Sequence, residues 1–180
     1  MAEHRYNMLK LADYLYRWTG DVKYMDYYEN VFNNHILASM APDSGLKTYL
    51  TNTEFGYFKI YHTRDESFWC CASSGLESFS KLQENIYYLQ DNTVVVNMYY
   101  PSDLRYEGIT ITQKNDISLT HKAKFTISDD KSFTLKLRVP TWTKSSKILY
   151  NGQPLEVNEE DGYILINKEF KANDTIEYQF

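Results

Sequence analysis

Asp65-Glu66-Ser67-Phe68-Trp69-Cys70-Cys71-Ala72-Ser73-Ser74-Gly75-Leu76-Glu77 holds the only two cysteines of the 180 residues, and they are adjacent. The aromatic pair Phe68-Trp69 walls them on one side. On the other, Ser74-Gly75-Leu76-Glu77 has the Ser-x-x-Glu pattern of a capping box that opens a helix. A thiol at the mouth of a helix sees the positive end of the dipole. That favours thiolate, the form that attacks carbon and binds metal. Several readings of the pair fit. Buried cysteines pack as small hydrophobes. A zinc site takes four ligands, and no further Cys is at hand to supply them. A vicinal disulfide needs a strained backbone and would be regulatory. A nucleophile completes the set.

Working outward toward the N-terminus, Met8, Leu11, Ala12, Leu15, Tyr16 and Trp18 form a helical stripe over Tyr6 to Trp18. Gly20 fits its C-cap and Asp21 the N-cap of a second helix. That helix runs from Val22 to Met40 through Tyr24, Tyr28, Val31, Phe32, His35 and Ile36, until Ala41-Pro42 stops it. Two antiparallel helices joined at Gly20-Asp21 make a helical hairpin, the repeating unit of an (α/α)n barrel. Asp43-Ser44-Gly45 turns the chain, and Leu46 to Leu50 and Tyr57 to Tyr61 read as short strands or extended loop. Past the cysteines, Leu76, Phe79, Leu82 and Gln83 predict a third helix ending near Asn85.

From there the period changes from helical to alternating. Ile86 to Leu89 and Val94 to Tyr99 flank an Asp91-Asn92 turn. Ile109 to Gln113, Ile117 to His121, Ala123 to Ser128 and Phe133 to Val139 follow, separated by polar turns. Asn151-Gly152, between Ile148-Leu149-Tyr150 and Pro154-Leu155, is the strongest short hairpin signal in the chain. Tyr163 to Ile166 and Thr175 to Phe180 complete the set. Strands this short and closely spaced read as an antiparallel β-sandwich. The fold class is α+β. Residues 1–90 form the helical part with the Cys-Cys motif, and residues 91–180 the sandwich.

The net charge of −5 argues against a nucleic-acid partner. No apolar run reaches membrane-spanning length and no signal peptide is evident, so a membrane partner is not expected and the compartment stays open between cytoplasm and periplasm. Aromatics make up 16% of the chain, with seventeen Tyr and three Trp. Such a surplus suits sugar-stacking surfaces, and it equally suits amphipathic core edges.

Five blocks carry a resemblance. They are Tyr6-Asn7-Met8-Leu9-Lys10-Leu11, Trp18-Thr19-Gly20-Asp21, Tyr27-Tyr28-Glu29, Asn34-His35-Ile36-Leu37 and Ser67-Phe68-Trp69-Cys70-Cys71. In order and spacing they resemble glycoside hydrolase families 127 and 146, typified by β-L-arabinofuranosidase and formerly a domain of unknown function. Leu137-Arg138-Val139-Pro140-Thr141-Trp142 also resembles the start of that family's sandwich strands. The resemblance implies an (α/α)6 barrel followed by β-sandwich domains, of which this chain would hold the C-terminal part of the barrel. The implied activity is zinc-dependent, retaining hydrolysis of an arabinose-containing oligosaccharide or plant glycan.

Carried over residue by residue, the resemblance makes Cys70 the nucleophile and a zinc ligand, and Cys71 a second zinc ligand. Glu29 and Tyr49 fall where the family touches the sugar. A solvated helix face for Glu29 and simple packing for Tyr49 are the plainer alternatives. The family's other two zinc ligands, a Glu-x-Cys ahead of the first helix, align with Met1 and Glu3, and neither is the family residue. The family's acid/base Glu aligns further upstream still. A chain that starts mid-barrel is the favoured expectation, with little or no activity alone and with self-association through exposed barrel faces. Two other possibilities stand beside it: Glu3 and His4 as replacement zinc ligands, and a non-catalytic carbohydrate-binding sandwich module. His35 reads as a core histidine, Glu77 as a helix cap, and Glu84 and Glu159-Glu160-Asp161 as solvated charge.

Overall fold

The computed structural model describes residues 2–52, 54–67, 69–115 and 121–180, with the side chains of Ala2, Glu3 and Cys71 outside the description. The chain divides into two compact units, residues 1–84 and 85–180.

In the first unit, helix α1 spans Ala2–Thr19 and helix α2 spans Lys23–Val31. α2 runs on through a wider turn at Phe32–Ile36 and a tight one at Leu37–Ser39. Gly20 separates them with φ +69, the left-handed conformation that a C-terminal glycine adopts without strain. The Asp21 carboxylate then accepts the Lys23 N–H at 3.1 Å. The buried face of α1 is Tyr6, Leu9, Ala12 and Tyr16, a spacing of three or four residues. Leu11 and Trp18, which the sequence places in the apolar stripe, are exposed instead. The stripe is wide enough to be drawn on either flank of the same helix, and packing against α2 selects the flank that holds Tyr6 and Leu9. Met25, Phe32 and Ile36 are fully buried, each contributing about 2 kcal/mol through burial.

The segment between α2 and the third helix α3 (Cys70–Lys81) is extended loop rather than strand. Its pairing consists of single bridges, Met40 with Lys47 and Thr48 with Tyr61. Even so, Lys47 and Thr48 are buried. α3 passes into a tight turn at Leu82–Asn85.

The second unit is a β-sandwich. One sheet has the order β1 (Tyr87–Gln90), β2 (Thr93–Val96), β6 (Lys131–Arg138), β10 (Tyr163–Phe170), β9 (Asn158–Glu160). The other runs β3 (Ser102–Tyr106), β4 (Ile109–Asn115), β5 (Lys122–Ile127), β11 (Thr175–Gln179), β7 (Lys147–Tyr150), β8 (Gln153–Leu155). Alternation places Val94, Val96, Phe125, Phe133, Leu135 and Ile176 in the shared core. Asn151 and Gly152 both have positive φ, 49 and 80, as the predicted two-residue hairpin turn requires, and Tyr150 pairs with Gln153 across it. Among the described residues the strand pairs are antiparallel except one, β2 beside β6. The predicted strand over Ile117 to His121 falls almost wholly outside the described residues. At one end of the sandwich Arg138, with no exposed surface, donates from Nε to the Asn97 carbonyl at 2.7 Å, and Tyr99 donates to the Arg138 carbonyl.

Candidate active site

Helix α3 begins at Cys70, four residues before the predicted cap. Trp69 is the extended residue ahead of it, with φ −71 and ψ 147 and no side-chain cap bond. Ser74 lies inside the helix. Its hydroxyl and that of Ser73 both donate back to the Cys70 carbonyl at 3.0 Å. A serine that bonds back to the preceding turn leaves the same Ser-x-x-Glu signature as one that caps, and that explains the misplaced start. Glu77 therefore is not a cap. It stands beside Tyr6 of α1, whose hydroxyl is pushed up to about 12 by burial and then by the Glu77 carboxylate.

The consequence for the thiol is direct. Cys70 is exposed and occupies the first turn of α3, where backbone N–H groups lack intrahelical acceptors and the dipole is positive. Of the readings open for the pair, burial as a small hydrophobe is excluded for Cys70. Cys71 follows in the same helix, and its side chain lies outside the described residues, as does Phe68.

An aromatic cluster forms around Trp69, the residue that precedes Cys70 in sequence. The Tyr49 and Trp69 rings meet edge to face with centroids 5.4 Å apart, and the His62 ring meets Trp69 at 6.2 Å. His62 Nδ1 sits 2.7 Å from the Thr63 carbonyl, which can only accept, so Nδ1 carries a proton and the Nε2 of a neutral ring is left as an acceptor. Tyr49, half-buried, thus comes together with the residue next to Cys70. Glu29 sits on α2 and is only 7% exposed, which overturns the solvated-face alternative. A carboxylate this far from water is held by hydrogen-bond partners.

His35 is also corrected. It is half-buried and lines a cleft of about 340 Å³ together with Arg5, Asn34, Tyr49, Thr51 and Lys59. Burial and then the Arg5 guanidinium hold its imidazole below the ordinary histidine value. Glu84 is exposed as read, paired to Lys81 at 2.7 Å. Lys47, His62 and the cationic cleft were not found from the sequence, where a lysine or histidine in a loop carries no mark of burial.

Zinc needs a tetrahedral donor set. Among the described residues no three His, Cys, Asp or Glu side chains gather to form one. Cys70 is the one cysteine whose side chain is described, His4 is exposed on α1, and the Glu3 side chain lies outside the description. The described residues do not by themselves assemble a zinc site.

A helical hairpin and a third helix are followed by a β-sandwich, and an exposed thiol opens the third helix. The profile of the GH127 β-L-arabinofuranosidase catalytic domain matches residues 4–84, and that of the GH127 middle domain matches residues 93–180. The chain belongs to glycoside hydrolase family 127. Its fold is that of a solved glycoside hydrolase (TM-score 0.83, 21% identity, covering 97% of this chain and 32% of that one). It is similar too to a GH127 β-L-arabinofuranosidase from Geobacillus stearothermophilus T6 (TM-score 0.76, 19% identity, covering 97% of this chain and 30% of that one). A further GH127 β-arabinofuranosidase gives a TM-score of 0.81 at 23% identity, covering 96% of this chain and 31% of that one. The chain thus spans about a third of the length of these structures. No curated protein matches it in sequence.

Proposed function

We propose that the chain is the thiol-bearing portion of a retaining β-L-arabinofuranosidase acting on an arabinose-containing oligosaccharide or plant glycan. The observation that carries this reading is the exposed Cys70 in the first turn of α3, next in sequence to the Trp69 on which Tyr49 and His62 pack, in a chain whose residues 4–84 match the family-127 catalytic domain. As thiolate, Cys70 forms a carbon–sulfur bond at the anomeric carbon while the bond to the leaving oxygen breaks. A general acid, not identified among the described residues, protonates that oxygen. The same group as base takes a proton from water, which displaces the sulfur and returns the thiolate. Sulfur thereby stands where most glycosidases use a second carboxylate. Tyr49 donates to and accepts from sugar hydroxyls, and Glu29 accepts from them. In this reading Cys70 and Cys71 would be two of the ligands of a zinc ion, and such an ion would hold the sulfur as thiolate.

The chain alone is expected to release little or no arabinose, and robust turnover of an aryl β-L-arabinofuranoside by the pure protein would overturn that expectation. The nucleophile is tested with an arabinofuranose-mimicking cyclitol epoxide and peptide mass mapping. The adduct is expected on Cys70 and absent from Cys70→Ser. Labelling elsewhere at the wild-type level in Cys70→Ser would remove the role.

A further inference from the structure

The cleft beside the aromatic cluster has a charge that the proposed arabinose chemistry does not use. We propose that it binds an acidic sugar, a uronic acid residue within the glycan. Two cations line it, Arg5 from α1 and Lys59 from the loop ahead of α3, and no carboxylate is among its described lining residues. In a chain of net charge −5 that is a local reversal of sign.

Neither cation is held in an ion pair among the described residues. Lys59 is fixed in place by donating to the Ala38 carbonyl at 2.6 Å, which leaves further ammonium protons for a ligand. Arg5 presents a planar fork, the geometry that pairs with a carboxylate through two parallel hydrogen bonds. Burial first, and then the Arg5 guanidinium, hold the His35 imidazole below its ordinary value, so the Arg5 charge is felt within the cleft.

The remaining lining suits a sugar ring rather than a bare anion. Asn34, Thr51 and the Tyr49 phenol supply both donors and acceptors for hydroxyls. The volume of about 340 Å³ lies at the small end of ligand sites, which run roughly 300–1,000 Å³. Tyr49 lines this cleft and also meets the ring of Trp69, the residue next to Cys70, which links the cleft to the start of α3. The identification of the ligand as a sugar rests on the glycosidase reading, whereas the cationic lining does not.

The test is calorimetric or NMR titration of the chain with D-galacturonate, D-galactose and acetate. Galacturonate is expected to bind at least ten-fold tighter than either of the others, with the preference falling at high salt. Lys59→Met, at an exposed position, and Arg5→Met should each bring galacturonate down to the level of galactose. Equal binding of galactose, equal binding of acetate, no binding of galacturonate, or full preference in folded Lys59→Met would overturn the site. Epoxide labelling of Cys70 separates the two readings. A labelled thiol without uronate preference sinks the acidic-sugar site alone, and uronate preference without labelling sinks the thiol mechanism alone.

Discussion

The Lys47 side chain runs past Gly75 of α3 so closely that a Cβ on Gly75 would meet its Cε at 3.2 Å and its Cδ at 3.3 Å. A glycine within a helix ordinarily costs about 1 kcal/mol relative to alanine. Here that cost admits the lysine stem, which is 2% exposed and has little room to shift. Gly75→Ala is therefore expected to gain nothing, or to lose up to about 1 kcal/mol, against the usual helical trend. In a Lys47→Ala background the same change should recover about 1 kcal/mol. A double-mutant cycle by urea unfolding measures the coupling, and strict additivity would show that the stem yields freely.

The end of that stem makes a second prediction. Lys47 Nζ lies 4.0 Å from the centroid of the Phe79 ring, and burial pushes its pKa down to about 8 from the ordinary 10.5. Between those values the unfolded chain binds more protons than the folded one. The Lys47 contribution is thus least favourable below pH 8, rises through the window from 8 to 10.5 and is complete above it. At 1.36 kcal/mol per unit the full rise is about 3 kcal/mol. Lys47→Met removes the titration. The variant should be more stable than wild type at pH 7, by about 1–2 kcal/mol once the lost cation–π contact is subtracted. That gap should close as the pH approaches 10, and a constant gap would mean the amine is solvated.

In the sandwich, Asp174 ties together the β7–β8 hairpin and the turn before β11. Tyr150 donates to one carboxylate oxygen, Asn151 Nδ2 to the other at 2.8 Å, and the Lys171 N–H to the first at 2.7 Å. Burial alone would raise this carboxyl, but the bonds from Asn151, Lys171 and Tyr150 outweigh it and hold it below the ordinary 3.8. Its contribution is therefore present above pH 4 and lost as the pH falls through the depressed folded value. Asp174→Ala should cost about 2–4 kcal/mol at pH 7, because three donors lose their acceptor. The difference from wild type should shrink on acidification. Equal stability at pH 7 would show that water replaces the carboxylate.

Local chemistry was the legible part of this fold. Asn151-Gly152 announces its hairpin because few residues tolerate two successive positive φ values, whereas in the Asp91-Asn92 turn only Asp91 has positive φ, at 49. The burial of β3 alternates, but it escaped because Ser102 and Asp103 are both polar, so only Leu104 and Tyr106 carry the alternation in sequence. β9 escaped because all three of its residues are exposed. The parallel pairing of β2 with β6 is set by contacts about forty residues apart, on which a local pattern is silent. At the site, Cys70 was legible by uniqueness. Lys47 was not, because only the loop's return path beneath α3 buries it. The helix start was misread because Ser74 bonds backward rather than capping.

Leu11, Tyr14 and Trp18 lie at a spacing of three and four on α1 and are all exposed, Trp18 to 76%. Apolar residues in a row on one helix face mark a surface that another surface covers. We propose that the isolated chain self-associates through it. Sedimentation equilibrium should show mass rising with concentration, and Trp18→Glu should shift the distribution toward monomer. A wild-type chain that stays monomeric at high concentration would show that these side chains are content in water.

The last expectation concerns Cys70 itself. Thiols alkylate as thiolates, so placement in the first turn of α3 should speed the reaction relative to a thiol without a helix dipole. Iodoacetamide should modify Cys70 faster than free glutathione at pH 7, as read by peptide mass mapping that distinguishes it from Cys71. The dipole is worth roughly 0.3–1 kcal/mol at an exposed terminus, which corresponds to a rate advantage of about two- to five-fold. Because the field belongs to the helix, a proline in its interior should diminish the advantage. Ser78→Pro removes the helical bond to the Ser74 carbonyl and interrupts α3 one turn beyond the first, while leaving Cys70 itself unchanged. If Cys70 reacts no faster than glutathione, the first turn does not activate it, and the nucleophile would depend on groups supplied from elsewhere.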